Sequence, residues 1–291
     1  MNFTLTPADI SYVGDGLSRP ESVLVERSGT LWVSDNRCGV TRIDRDGRQT
    51  RIGRMGGNPN GLAMTKDGSL LVANVIDGAL YRLRRDGSCE TVIDRFEGRP
   101  LGAVNFVLRD GDRLWLSVST WSPPVDGRVN PSVADGYILC IENGTARLAA
   151  EGFLHTNEVR IDRARRFLYV AETRRGRVLR LPLGPGATLS RPQPFGPDPL
   201  FSGAHPDGLA FDAEGNLWLT EVTRNGIHII APDGACHCAF EDPDGETLQF
   251  PSSLAFAGPD LRTVYVGSVR MTRLARFDAP VAGEPLAHWS D

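Results

Sequence analysis

The chain has 291 residues, 41% hydrophobic and 23% charged, enough apolar material to bury a sizeable core. Its formal net charge is −4 and its arginines are scattered, with Lys66 the only lysine, which argues against nucleic-acid binding, a function that rests on clustered positive charge. No apolar run approaches the ~20 residues of a membrane span, and the start, MNFTLTPADI, lacks a basic leader and an apolar stretch.

From the N-terminus, a surplus strand near Phe3–Val13 is followed by one segment type that recurs six times. Each copy has a polar head, a short apolar strand, a turn that usually carries Gly, and a second apolar strand. The copies are PESVLVERSGTLWVSD from Pro20, PNGLAMTKDGSLLVAN from Pro59, VNFVLRDGDRLWLSV from Val104, TNEVRIDRARRFLYVAET from Thr156, PDGLAFDAEGNLWLTE from Pro206 and PSSLAFAGPDLRTVYVGS from Pro251. A third strand follows in each (GVTRID, GALYRL, GYILCI, GRVLRL, GIHIIA, TRLARF). Asp46-Gly47, Asp86-Gly87, Asn143-Gly144 and Asp233-Gly234 then read as two-residue hairpin turns. Alternation has period two and no window carries a helical stripe. Six such units at this period predict an all-β, six-bladed β-propeller of four-stranded antiparallel blades around a central channel, one domain over residues 1–291. The N-terminal strand is expected to complete the last blade and hide an edge.

The polar heads are Glu21, Asn60, Asn105, Asn157, Asp207 and Ser252. First strands line a propeller's channel, so these six should ring one mouth. Two carboxylates, three amides and a hydroxyl in a desolvated channel are costly unless a cation neutralises them. Oxygen donors without thiolates favour Ca²⁺, then Mg²⁺ or Mn²⁺, with Zn²⁺ also compatible. Glu21, Asn157 and Asp207 are read as ligands, and Asn60 and Ser252 as strand caps. Second strands end on the same face, which places Asp35, Asn74, Glu172 and Glu221 near the rim as solvated or supporting groups. The long loop Ser119–Asp135 should lie over the mouth as a lid, with Trp121 as a substrate contact. The five cysteines include no CxxC and are read as buried, reduced thiols of a cytoplasmic protein. The run Cys236-His237-Cys238 is a weak soft-metal signal. His228, His237 and His288 read as structural or exposed.

These segments resemble the regucalcin/gluconolactonase family of six-bladed propellers over nearly the whole chain. The resemblance is carried by Glu21 before SGTLWVSD, NPNGLAMTKDGSLLVAN, Asn157 before LYVAET, HPDGLAFDAEGNLWLTE and PSSLAFAGPDLRTVYVGS. It implies a divalent metal held by Glu21, Asn157 and Asp207, a substrate-contacting amide at Asn105, and a lactonase reaction in which the cation polarises the carbonyl for attack by water. It also suggests Asp207 as the base. His155 and His205, each two residues ahead of a ligand, are alternative bases or substrate contacts. The chain departs from sugar-lactonase members at Ala103, where they carry Arg, and at Phe106, where they carry Asp, which favours a less polar lactone or ester unless Phe106 points into the blade core. The partner is then a small-molecule lactone or ester. Alternatives are another metal-dependent ester hydrolase of the paraoxonase-like type, a non-hydrolytic strictosidine-synthase-like propeller, and a calcium-binding scaffold. No GxSxG or GxGxxG is present.

Overall fold

In the computed structural model, residues 3–125, 129 and 131–289 are described. They form six four-stranded antiparallel sheets and a two-stranded hairpin, with no α-helix among the described residues. The innermost strands are Val23–Val25, Pro59–Met64, Val104–Asp110, Thr156–Ile161, Pro206–Phe211 and Pro251–Ala257. Each packs against the innermost strand of the next blade, and the sixth packs against the first, which closes the ring. The sixth blade takes its outer strand from the other end of the chain: Ser11–Val13 pairs with Leu274–Asp278, as the surplus N-terminal strand predicts.

The apolar alternation is resolved into packing between blades. Trp32, Trp115 and Trp218, from the second strands of blades one, three and five, are wholly buried. Each indole donates to an acid in or beside the preceding turn, Glu26 at 2.8 Å, Asp110 at 3.3 Å and Asp212 at 2.9 Å, so burial leaves no polar group unmatched. Of the four expected hairpins, only Asn143-Gly144 is a two-residue turn, with both residues at positive φ. The other three are longer. In them Gly47, Gly87 and Gly234 take positive φ one residue before the strands rejoin, through Asp44 N to Arg48 O, Arg84 N to Ser88 O and Ala231 N to Ala235 O. This is a type I turn closed by a glycine bulge, which fits the right-handed strand twist as well as the shorter turn does.

The inner strands approach one another so closely that glycine is required. A Cβ on Gly61 would lie 2.6 Å from the Phe106 Cα, and one on Gly208 would lie 2.5 Å from the Ser252 carbonyl oxygen. These are the glycines of the Pro-Asn-Gly and Pro-Asp-Gly heads, so the turn-like tripeptides serve close packing at the axis.

At the far end of the channel the C-terminal segment crosses from blade five to blade one. Glu284 N donates to Phe211 O at 2.9 Å, and Trp289 Nε1 donates to Val25 O at 2.6 Å. A cavity of about 920 Å³ opens there, walled by Leu62, Phe106, Phe211 and Leu286 among others. None of the six heads lines it. The Ser119–Asp135 loop is tied at its base by Thr120 Oγ1 to Asp135 Oδ1 at 2.6 Å. The middle of that expected lid, residues 126–128 and 130, lies outside the described residues. No described helix is long and apolar enough to cross a membrane. The cysteines are free, but only Cys38 and Cys140 are buried, whereas Cys89 and Cys238 are exposed on outer strands, where the blade edge faces water.

Candidate metal and active site

Five of the six heads sit at irregularities in strand register. The pairing of the first two strands shifts between Pro59 and Leu62, Val104 and Phe106, Thr156 and Val159, Pro206 and Leu209, and Pro251 and Leu254. A bulge interrupts alternation and re-aims the side chain it carries. Asn60, Asn105, Asn157, Asp207 and Ser252 occupy these positions, and Glu21 lies just ahead of its short strand. All six heads are buried.

Two of the amides are then anchored by one device. Asn105 Nδ2 donates to Ser119 Oγ at 3.1 Å, and that hydroxyl donates to the Thr156 carbonyl of the next blade at 3.0 Å. Asn157 Nδ2 donates to Thr173 Oγ1 at 3.1 Å, which donates to the Pro206 carbonyl at 2.8 Å. With the nitrogens fastened outward, the oxygens are left over. Asn105 Oδ1, Asn157 Oδ1, Asn60 Oδ1, Glu21 Oε2 and Asp207 Oδ1 are all buried with no hydrogen-bond partner. Each such acceptor costs about 1–3 kcal/mol unless something answers it. Ser252 behaves as a cap, donating to the Glu21 carbonyl at 2.8 Å. Asn60 Nδ2 likewise caps, onto the Asn105 carbonyl at 3.0 Å, although its oxygen stays open. Thr173→Val is expected to leave the fold intact and weaken metal affinity by about 10–100-fold, the usual loss when a ligand's supporting partner is removed, as calorimetric titration would read.

The electrostatics agree. Burial pushes the carboxyls of Glu21 and Asp207 well above the ordinary carboxylate range, and their mutual repulsion adds to it at Asp207. Arg19 and the Asn60 and Asn157 amides pull the other way. A third buried acid, Glu158, repels both. Burial pushes it up to about 7 against the pull of Arg160 at 2.7 Å and Leu209 N at 3.0 Å, and its Oε1 is unpartnered. Unrelieved acceptors, oxygen-only donors and crowded negative charge form the environment a hard divalent cation stabilises, so the residues fit one.

Just outside the ring of heads lies a second ring. The residue two positions ahead of each head is Arg19, Asn58, Ala103, His155, His205 and Phe250 in blade order. In five of them the backbone carbonyl accepts from the residue after the second strand: Val75, Ser119, Thr173, Val222 and Val269 donate to Asn58, Ala103, His155, His205 and Phe250. Arg19, His155 and Phe250 take left-handed backbone conformations, with φ of 52°, 66° and 45°. Burial and Arg174 push His155 down to about 4 and also lower His205, so both environments favour the neutral imidazole. Position 103 carries no guanidinium, but the equivalent position in blade one does. Arg19 acts electrostatically on both Glu21 and Asp207. It carries no metal-ligand signature, and the sequence reading passed over it, as it did Glu158, Ser119 and Thr173. Position equivalence between repeats would have found Arg19.

Of the two roles expected for Asp35, Asn74, Glu172 and Glu221, the structure selects the supporting one, since all four are fully buried. Glu172 accepts from Leu154 N at 2.7 Å and Arg177 at 2.7 Å, and Glu221 accepts from His205 N at 2.7 Å and Arg224 N at 2.8 Å, so both hold the strands and turns that carry the outer ring. Trp121 stacks on Tyr137 at 3.9 Å beneath the Arg99 guanidinium, against the cluster between blades two and three. Phe106 points into the core between blades three and four, under Arg160, as strand alternation permits.

Residues 19–270 match the family described as the SMP-30/Gluconolactonase/LRE-like region. The chain belongs to this family. Among curated relatives, a 6-deoxy-6-sulfogluconolactonase of Pseudomonas putida is 25% identical over 232 residues, 78% of this chain and 71% of that protein. Solved structures with the same fold include a gluconolactonase from Xanthomonas campestris and a calcium-binding regucalcin from Agrobacterium tumefaciens. The first has a TM-score of 0.76 at 19% identity, covering 93% of this chain and 89% of the other. The second has a TM-score of 0.78 at 19% identity, covering 98% and 97%. For this SMP-30/gluconolactonase family member, the matched region takes in all six heads, from Glu21 to Ser252.

Proposed function

We propose that the protein hydrolyses a lactone at the head end of the channel, with one divalent cation held by Glu21, Asn157 and Asp207. The observation that carries this reading is the set of buried, unpartnered oxygens on these three residues, drawn from three blades, with two of the carboxylates repelling each other. A bound cation would polarise the lactone carbonyl and offset the charge that develops on its oxygen. Asp207 accepts the proton of the attacking water. Asn105, with its nitrogen committed to Ser119, presents Oδ1 as an acceptor for a substrate hydroxyl.

Arg19, His155 and His205 set the substrate class. Ala103 alone suggests a less polar lactone, but the outer ring restores a guanidinium from blade one and adds two imidazole faces, so a hydroxylated or anionic lactone fits better. The sulfonated substrate in the name of the Pseudomonas relative supports the same direction. Arg19→Ala is expected to cut kcat/KM for an anionic lactone by about 10–100-fold, the value of one charge-assisted contact, and for a neutral lactone much less. Equal losses on both would mean that Arg19 serves only to balance Glu21 and Asp207.

The overall test is metal content together with a pH-indicator screen of sugar, sulfonated, aliphatic and aromatic lactones and an aryl ester. Chelator-stripped protein should be inactive and regain lactone turnover with Ca²⁺, Mg²⁺, Mn²⁺ or Zn²⁺. Aryl-ester turnover alone would move the reading to the paraoxonase-like class. Bound metal without turnover would favour a calcium-binding scaffold, and full activity after stripping would reject the metal.

A further inference from the structure

We propose a second metal site, separate from the channel, on the flank of blade five, where His228, Cys238 and Glu241 would hold a borderline transition-metal ion of the Zn²⁺ type. His228 lies in the third strand, Gly226–Ile230, and Cys238 directly opposite it in the outer strand, Cys236–Phe240, in register. Glu241 follows immediately. One donor atom from each, a ring nitrogen, a thiol sulfur and a carboxylate oxygen, all lie within 4.8 Å of one another.

The independent observation is the imidazole. His228 is 5% exposed, yet its Nε2 is buried with no hydrogen-bond partner, 3.6 Å from Glu241 Oε1. A buried ring nitrogen of this kind is normally satisfied, because leaving it open costs about 1–3 kcal/mol. The ring is held in place by Phe201, whose centroid is 5.6 Å away, so it cannot swing out to water without unpacking that contact. Cys238 is exposed, which gives an ion a path in and leaves a fourth position for water.

The chemistry selects the ion. A thiolate, a carboxylate and a neutral imidazole sum to −2, which balances one divalent cation. Mixed sulfur, nitrogen and oxygen donors suit Zn²⁺ and its neighbours over Ca²⁺ or Mg²⁺. Tetrahedral ligation needs the donors somewhat closer than 4.8 Å. Glu241 can supply that movement, since its ion pair with Arg224 at 3.1 Å is partly exposed to water, which can take its place. The soft-metal signal in Cys236-His237-Cys238 is thereby reassigned. His237 turns its Nε2 to the Phe3 carbonyl at 2.5 Å, and Cys236 packs against the cluster of Tyr169, Phe195 and Ile230. Only Cys238 of the three faces the site. An ion here would fasten the outer edge strand of blade five to its neighbour and to the start of the connection to blade six.

The experiment is a Co²⁺ titration of the full-length, reduced, chelator-stripped protein, followed by displacement with Zn²⁺. The channel ring contains no sulfur, so a thiolate-to-cobalt charge-transfer band in the near ultraviolet separates a cysteine site from the channel, and the cysteine variants assign it. The expected result is a band that saturates by two equivalents, the channel taking the other ion, disappears with Zn²⁺, survives Cys89→Ser and Glu21→Gln, and is lost in Cys238→Ser. Glu241→Gln should weaken Co²⁺ binding about 10-fold or more. His228→Gln should abolish it, and because Cys238 is exposed, Cys238→Ser keeps the test sound even if the buried histidine variant fails to fold. No charge-transfer band in the wild type, or one that persists in Cys238→Ser, would overturn the proposal without touching the lactonase reading.

Discussion

Asp207→Asn is expected to reduce lactone turnover by about 10³-fold or more, through loss of a proton acceptor together with a cation ligand. The substitution keeps the shape of the head and its place in the bulge after Pro206, so the loss reports chemistry and not folding. Glu21→Gln is the informative companion. Glu21 is proposed as a ligand only, so its loss should appear as weaker metal affinity and be largely recovered at saturating metal. Asp207→Asn should not recover. His155→Gln and His205→Gln should each cost less than about 10-fold in kcat and act mainly on KM, as groups that bind substrate do. Stopped-flow measurement of lactone opening across this series at varied metal concentration separates the roles. Recovery of Asp207→Asn by excess metal, with a large kcat loss in either histidine variant, would transfer the proton to the imidazole.

Gly208→Ala should lower stability by about 3 kcal/mol or more, one of the larger effects a single methyl group can have in this molecule. The added carbon would sit 2.5 Å from both the Ser252 oxygen and the Ser253 Cα, backbone atoms of the neighbouring inner strand that cannot rotate away. Blades five and six would have to part at the axis. For a chain of this size that corresponds to a melting temperature lower by about 6 °C. Gly56→Ala is the control, because nothing lies within 4 Å of its added carbon, and it should change stability by less than about 0.5 kcal/mol. Because Gly208 follows Asp207, the same variant should also lose metal affinity. Unchanged melting in Gly208→Ala would show that the inner strands are not as tightly apposed as their geometry indicates.

How far the site was legible in the sequence follows from what each residue depends on. The places of Glu21, Asn157 and Asp207 at the heads of their strands were readable because the repeat puts one polar residue at the head of each first strand. The function of Ser252 as a cap was readable for the same reason. Ser119 and Thr173 were not, because each acts across two blades, taking an amide from its own blade and giving a proton to the next. Glu158 looked like an ordinary charged residue beside Asn157. Only the packing of the ring brings it close enough to repel Glu21 and Asp207. For the rim acids the sequence left solvated and supporting roles open, and packing selects support: Asp35, Glu172 and Glu221 are buried because nearby backbone N–H groups and arginines satisfy them.

The sequence by itself determined the number of blades, their strand order and the closure by the N-terminal strand, because these follow from period-two alternation and from turns whose chemistry is local. It also fixed which residues head the channel. Tertiary structure alone decided where their oxygens point, since bulges at the heads break the alternation from which orientation would be inferred. It likewise decided that Arg19 comes within electrostatic reach of both Glu21 and Asp207, and that His228, and not His237, faces Cys238. Those outcomes depend on which blades and strands become neighbours, and neighbours are set by packing between residues far apart in the chain.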